Sequence, residues 1–226
     1  AALAGDMTAW RRYLHARPEL GFDCHETARF VAARLREFGV DAIHEGVART
    51  GVVAVIEGRA AGDSVGLRAD MDALPMPDES GSDWASGVPG RAHACGHDGH
   101  TAMLLGAARY LAETRNFAGC AVLIFQPAEE DGGGGGVMVA EGVPDRFDLR
   151  EVYALHNRPG LPEGSIATRA GPIMAAVDDY SVTFGGRGGH AARPHEATDP
   201  IPAALAAAQA IRALTAEADP RAELRI

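Results

Sequence analysis

Two apolar runs limit what this chain can fold into. Residues 50 to 57 (Thr-Gly-Val-Val-Ala-Val-Ile-Glu) and Ala121 to Phe125 have no polar residue in their interiors. Strands that are half solvated alternate polar with apolar, so these two read as strands buried on both faces. Such strands need helices as cover, and amphipathic helices are present. One fits residues 6 to 18, with Trp10, Tyr13 and Leu14 at helical spacing and Pro18 as its stop. A second fits 24 to 38, with Ala28, Val31, Leu35 and Phe38 on one face and Gly39 as its cap. A third, 99 to 114, carries Met103, Leu104, Ala107, Ala108 and Leu111. Further strands are expected at 40–44, 64–69, 151–155, 164–169 and 178–184, and further helices at 136–142 and 200–216. Residues 75–91, rich in Pro, Gly, Ser and Asp, read as a loop. The alternation gives an α/β fold, with a mostly parallel mixed sheet flanked by helices. Gly171-Pro172 breaks the chain. The expected domains are 1–175, carrying the chemistry, and 176–226, the start of a small α+β unit.

The chemistry is concentrated in His93-Ala94-Cys95-Gly96-His97-Asp98-Gly99-His100. A packed core has no use for three imidazoles, a thiol and a carboxylate in eight residues. In open α/β sheets ligands bind beyond the carboxyl ends of the strands. Asp70 and Asp72 follow strand 64–69, Glu129 and Glu130 follow strand 121–125, and His156 follows strand 151–155. Cys95 and His97 stand at a helix start on the same edge. Thiolate, imidazole and carboxylate together suit Zn²⁺ or Mn²⁺ better than Ca²⁺ or Mg²⁺. The number of donors favours two divalent ions over one closed site. Neighbours in an extended segment point to opposite sides. One carboxylate of the Glu129-Glu130 pair can therefore bind metal while the other takes a proton. His93, Asp98 and His100 are expected in supporting positions, and His15, His25 and His44 as ordinary surface groups. The run Gly132–Gly136 lacks the Lys-Ser/Thr of a phosphate loop and reads as a turn beside the site.

The net charge of −10 argues against nucleic acid as a partner. Three irregularly spaced cysteines, Cys24, Cys95 and Cys120, argue for a reducing compartment. No leader-like segment and no membrane-spanning run is present, so the expected location is the cytoplasm.

The motifs Arg68-Ala69-Asp70-Met71-Asp72-Ala73-Leu74-Pro75, His93-Ala94-Cys95-Gly96-His97-Asp98, Gln126-Pro127-Ala128-Glu129-Glu130 and Leu155-His156-Asn157 occur in this order. The chain thereby resembles the metal-dependent amidohydrolases of the aminoacylase/carboxypeptidase superfamily, in the hippurate hydrolase and auxin-conjugate hydrolase branch. The resemblance implies hydrolysis of the amide bond of N-acyl amino acids. It implies Cys95, His97, Glu130 and His156 as metal ligands and Glu129 as the general base. It places Asp72 at the Asp of the superfamily's His-x-Asp motif, with Asp70 where that His would stand. Gly186-Arg187-Gly188-Gly189-His190-Ala191 matches the start of a lid domain, which implies substrate binding by His190 and a homodimer. Family chains continue past the lid and supply one more metal-binding His. These 226 residues stop before that part, so the resemblance implies two Mn²⁺ or Zn²⁺ ions, of which this chain retains either both or one. A metal-binding or dimerisation fragment without turnover is the alternative. A thiol enzyme, with Cys95 as nucleophile and His97 as base, is the third reading.

Overall fold

The structure, a computed structural model, describes residues 3–174 and 180–218. The chain divides into two compact units, Ala1–Glu163 and Gly164–Ile226. The first contains α1 (Ala4–His15), α2 (His25–Phe38), β1 (Ala42–Val47), β2 (Gly51–Glu57), β3 (Ala60–Asp70), α3 (His97–Thr114), β4 (Ala118–Gln126), α4 (Gly134–Ala140), α5 (Val143–Arg146) and β5 (Leu149–Ala154).

The five strands form one sheet in the order β1-β2-β4-β3-β5. The mixed α/β architecture is the one expected. β3 runs parallel to both β4 and β5. β1–β2 and β2–β4 are antiparallel. β1 and β2 are antiparallel because the short turn between them can only reverse the chain. β4 arrives by way of α3 and lies beside β3, the crossover that a parallel pair requires.

Period-two alternation explains the apolar runs. Ala121, Leu123 and Phe125 of β4 face one core, with Val31, Leu35 and Leu105 of α2 and α3. Val122 and Ile124 face a second core, with Met138 of α4 and Val143 of α5. Both faces of β4 are dry, so no position in 121–125 tolerates a polar side chain.

Register then places the chemistry. Asp70 pairs with Gln126 and Arg68 with Ala154. The last residues of three parallel strands thus end on one edge.

Several sequence expectations change. α3 begins at His97 rather than residue 99, so His97 lies inside the helix. Residues 164–169 are not a strand, and neither are 180–184; 178 and 179 lie outside the described residues. In the second unit Arg187 and Thr198 exchange backbone hydrogen bonds of 3.1 and 2.8 Å. A 3-10 turn, Pro194–Glu196, and α6 (Ile201–Ala218) complete its regular structure. Among the described residues no helix is long and apolar enough to cross a membrane.

Candidate metal centre

Four segments of the first unit meet beyond the strand ends. The loop after β3 brings Asp72, the start of α3 brings Cys95 and His97, the loop after β4 brings Glu129 and Glu130, and the loop after β5 brings His156. Donor atoms of Cys95, His97 and His156 lie within 4.8 Å of one another, and so do those of His97, Glu129 and Glu130. His97 belongs to both groups.

Asp72, fully buried, is the organiser. Its Oδ1 accepts from the Glu129 amide at 2.9 Å and its Oδ2 from the Glu130 amide at 3.0 Å. The His97 Nδ1–H donates to the Asp72 main-chain oxygen at 2.8 Å. A carbonyl oxygen only accepts, so Nδ1 carries a proton, and in the neutral ring Nε2 presents the lone pair. His156 is fixed in the same way, with Nδ1–H donating to the Asn157 carbonyl at 2.8 Å. Its Nε2 lies 3.4 Å from the Cys95 sulfur.

Gly96 makes the approach possible. Its φ of +94° is left-handed, and a Cβ there would stand 2.4 Å from Asn157 Oδ1. Only glycine satisfies both conditions.

The Glu129-Glu130 pair departs from the expected geometry. Both carboxylates reach toward His97 Nε2, Glu129 Oε2 at 3.8 Å and Glu130 Oε1 at 3.7 Å. The segment is bent, with Ala128 at φ +54°, so the alternation of an extended chain does not apply. The two side chains differ in exposure: Glu129 is 42% exposed and Glu130 19%.

The electrostatics call for a cation. His97 Nε2 and Glu130 Oε1 are buried without hydrogen-bond partners among the described residues. Burial raises the Glu130 carboxyl, and Glu129 and Asp72 push the same way against His97 and Cys95. Burial and then Glu130 push the Cys95 thiol up to about 12. A thiolate is therefore disfavoured in this acidic setting unless a positive charge joins it. Burial favours a neutral His97 ring, yet the Asp72, Asp70 and Glu130 carboxylates outweigh it and raise its pKa. Soft sulfur, two imidazole lone pairs and carboxylates fit a borderline divalent transition metal. The Cys95–His97 nucleophile pair is not formed, because the thiol faces His156 and the His97 lone pair faces carboxylates.

Comparison with known proteins decides the family. The model of peptidase family M20/M25/M40 matches residues 66–224. The chain belongs to this family. It is 44% identical over 202 residues to a hippurate hydrolase of Campylobacter jejuni, covering 89% of this chain and 52% of that protein. It is 44% identical over 215 residues to an N-acetyl-L-cysteine deacetylase of Bacillus subtilis, covering 95% and 50%. The chain thus spans about half the length of the relatives it matches. A dinuclear metal binding peptidase of family M20 from Bacillus subtilis superposes with a TM-score of 0.72 at 38% identity, covering 76% of this chain and 47% of that one.

Around the M20 motifs lies a supporting layer that the sequence showed only in part. Asp70 stands 3.6 Å from His97 Nε2, but its oxygens are engaged elsewhere. Oδ1 meets His100 Nδ1 at 2.6 Å and Oδ2 accepts from Arg68 Nη1 at 2.8 Å. Burial would raise its carboxyl; the His100 hydrogen bond, His97 and Arg68 together lower it to about 2. Arg68 is itself held by Gln126 Oε1 at 2.9 Å. His15, expected to be ordinary, contacts two carboxylates, Asp98 at 2.8 Å and Asp78 at 3.2 Å. No local signal marks it, since Asp98 lies 83 positions away. His190 lies in the second unit, exposed, with Nδ1 accepting from the Ala192 amide at 3.1 Å.

Proposed function

We propose that this M20 chain carries the metal centre of an amidohydrolase that cleaves the linear amide of N-acyl amino acids. The observation that carries the reading is the pair of imidazole lone pairs, His97 and His156, aimed with Cys95 and Glu130 into one acidic crevice. The names of the relatives, hippurate hydrolase and N-acetyl-L-cysteine deacetylase, point to the same substrate class. Cys95, His97, Glu130 and His156 would hold the metal. A divalent ion such as Mn²⁺ or Zn²⁺, two in a complete site, supplies Lewis acidity and a lowered water pKa when bound.

The protein's own groups do the rest. Glu129, the more exposed carboxylate, takes the proton of the attacking water and returns it to the leaving amine nitrogen. Asp72 acts by position: it holds the Glu129 and Glu130 amides and, through its carbonyl, the His97 tautomer. Residues 1–175 form the catalytic domain in this reading, and 176–226 the beginning of a lid through which the protein dimerises. His190 of that lid binds substrate. The setting is cytoplasmic, consistent with three unpaired cysteines.

Glu129→Gln tests the reading. The variant should bind Mn²⁺ or Zn²⁺ as the parent does, while hydrolysis of an N-acyl amino acid panel falls at least about 100-fold. Normal turnover in that variant would remove Glu129 as the base. A parent protein that binds metal but hydrolyses nothing would favour the second reading, a metal-binding and dimerisation fragment.

A further inference from the structure

The loop between the first two M20 motifs is anchored, and its anchor leads back to the metal centre. Leu74 and Ala92 exchange backbone hydrogen bonds of 3.0 and 3.1 Å, which close the base of loop 75–91. Asp72 lies on one side of that base and Cys95 on the other. Asp78 shapes the loop from within: Oδ1 accepts from the Ser80 amide at 2.9 Å and Oδ2 from the Ser86 amide at 2.7 Å. The loop is also tied to the end of α1. The Gly87 amide donates to the Ala16 carbonyl at 3.0 Å, and the Arg12 guanidinium lies 4.0 Å from the Trp84 ring centre.

His15 joins this loop to α3. Its Nε2 is 3.2 Å from Asp78 Oδ2 and its Nδ1 is 2.8 Å from Asp98 Oδ2. Asp98 is fully buried in the first turn of α3, next in sequence to His97. Its remaining support on Oδ2 is Arg11 Nε at 3.2 Å, from a side chain 58% exposed. Carboxylates only accept and a neutral imidazole has one N–H, so the ring donates to one of them at a time and to both only as the imidazolium; in either form it is wedged between Asp78 and Asp98.

We propose that His15 is a positioning residue for the metal centre: the Asp78–His15–Asp98 bridge fixes the first turn of α3 and with it the His97 lone pair. This rests on the reading of Cys95, His97, Glu130 and His156 as metal ligands. Groups hydrogen-bonded directly to a ligand typically change metal affinity about 10–100-fold when removed, and His15, which acts one residue further out through Asp98, belongs at the low end of that range.

The test is a double-mutant cycle on the full chain. His15→Ala, Asp78→Asn and the double variant are titrated with Mn²⁺ and with Zn²⁺ against a chelator, and metal-free unfolding is followed alongside. His97→Ala is the reference. Each single variant should weaken metal binding about 10-fold. The double variant should be no weaker than the singles, because either change breaks the same bridge. Unchanged affinity with a lowered metal-free midpoint would make the bridge merely structural and overturn the inference. Additive losses would overturn the coupling through His15. If His15→Ala does not fold, Asp78→Asn alone decides, since it lies in a surface loop. If His97→Ala binds metal like the parent, the ligand reading itself fails and this inference falls with it. If His97→Ala loses binding while the bridge variants keep it, only this inference fails.

Discussion

The carboxylate of Asp72 is divided between two backbone amides, and this sets where the Glu129 and Glu130 side chains stand. Asp72→Asn keeps the volume but turns one oxygen into an N–H₂ donor. One amide of the pair then faces a donor and is left unsatisfied in a buried place. We expect the fold to persist and metal affinity to fall about 10–100-fold, measured by chelator competition. Affinity equal to the parent would show that the bent segment holds itself. The metal-ligand candidates were legible at this scale because each follows a strand or opens a helix, where the fold leaves room for function. Asp70 was legible only as chemistry, because its engagement with His100 and Arg68 depends on three segments meeting. The shared direction of Glu129 and Glu130 was hidden by the positive φ of Ala128, a residue whose side chain announces no such turn.

At the scale of elements, the strands that could be read are those that two cores enclose. Residues 50–57 and 121–125 are apolar because both their faces are dry. The stretches 164–169 and 180–184 have strand-like composition, but strand formation depends on a neighbour to pair with, and the described residues offer them none. How the elements are tied at their ends was equally invisible. Asp41, just before β1, accepts from Arg115 Nη1 at 2.7 Å and from the Glu57 amide at 2.8 Å, so it joins β1, β2 and the end of α3. The Arg115 hydrogen bond lowers the Asp41 carboxyl, burial opposing it and the Glu57 amide adding to it. A depressed folded pKa means stability that is present above the unfolded value, about 3.9, and is lost as pH falls through the folded one. Asp41→Asn should therefore cost about 1 kcal/mol or less at pH 7, given its partial exposure. The deficit should be smaller at pH 3, below the unfolded value, than at pH 7. Urea midpoints of parent and variant at both pH values check this, and an equal deficit at the two would rule out the charge as the cause.

On the scale of the whole molecule, the acidic crevice and the two-unit organisation combine into one measurement. Candidate donors for a cation come from three segments spread between Cys95 and His156, all in the first unit. A metal held by these residues would stabilise the fold to the extent that it prefers the folded state over the unfolded one. At roughly 100 times its dissociation constant such a ligand adds about 2.7 kcal/mol. For a unit of this size that raises the unfolding midpoint by about 5–10 °C. The sequence supplies the reporter. Its two tryptophans, Trp10 and Trp84, both lie in the first unit, so tryptophan emission follows the unit that holds the crevice. The emission-detected midpoint should rise on adding Mn²⁺ or Zn²⁺ and return on adding a chelator. His97→Ala, which removes the one donor common to both ligand groups, should abolish the rise. A midpoint that climbs equally in that variant would place the stabilising ion elsewhere on this acidic surface and leave the crevice without its metal.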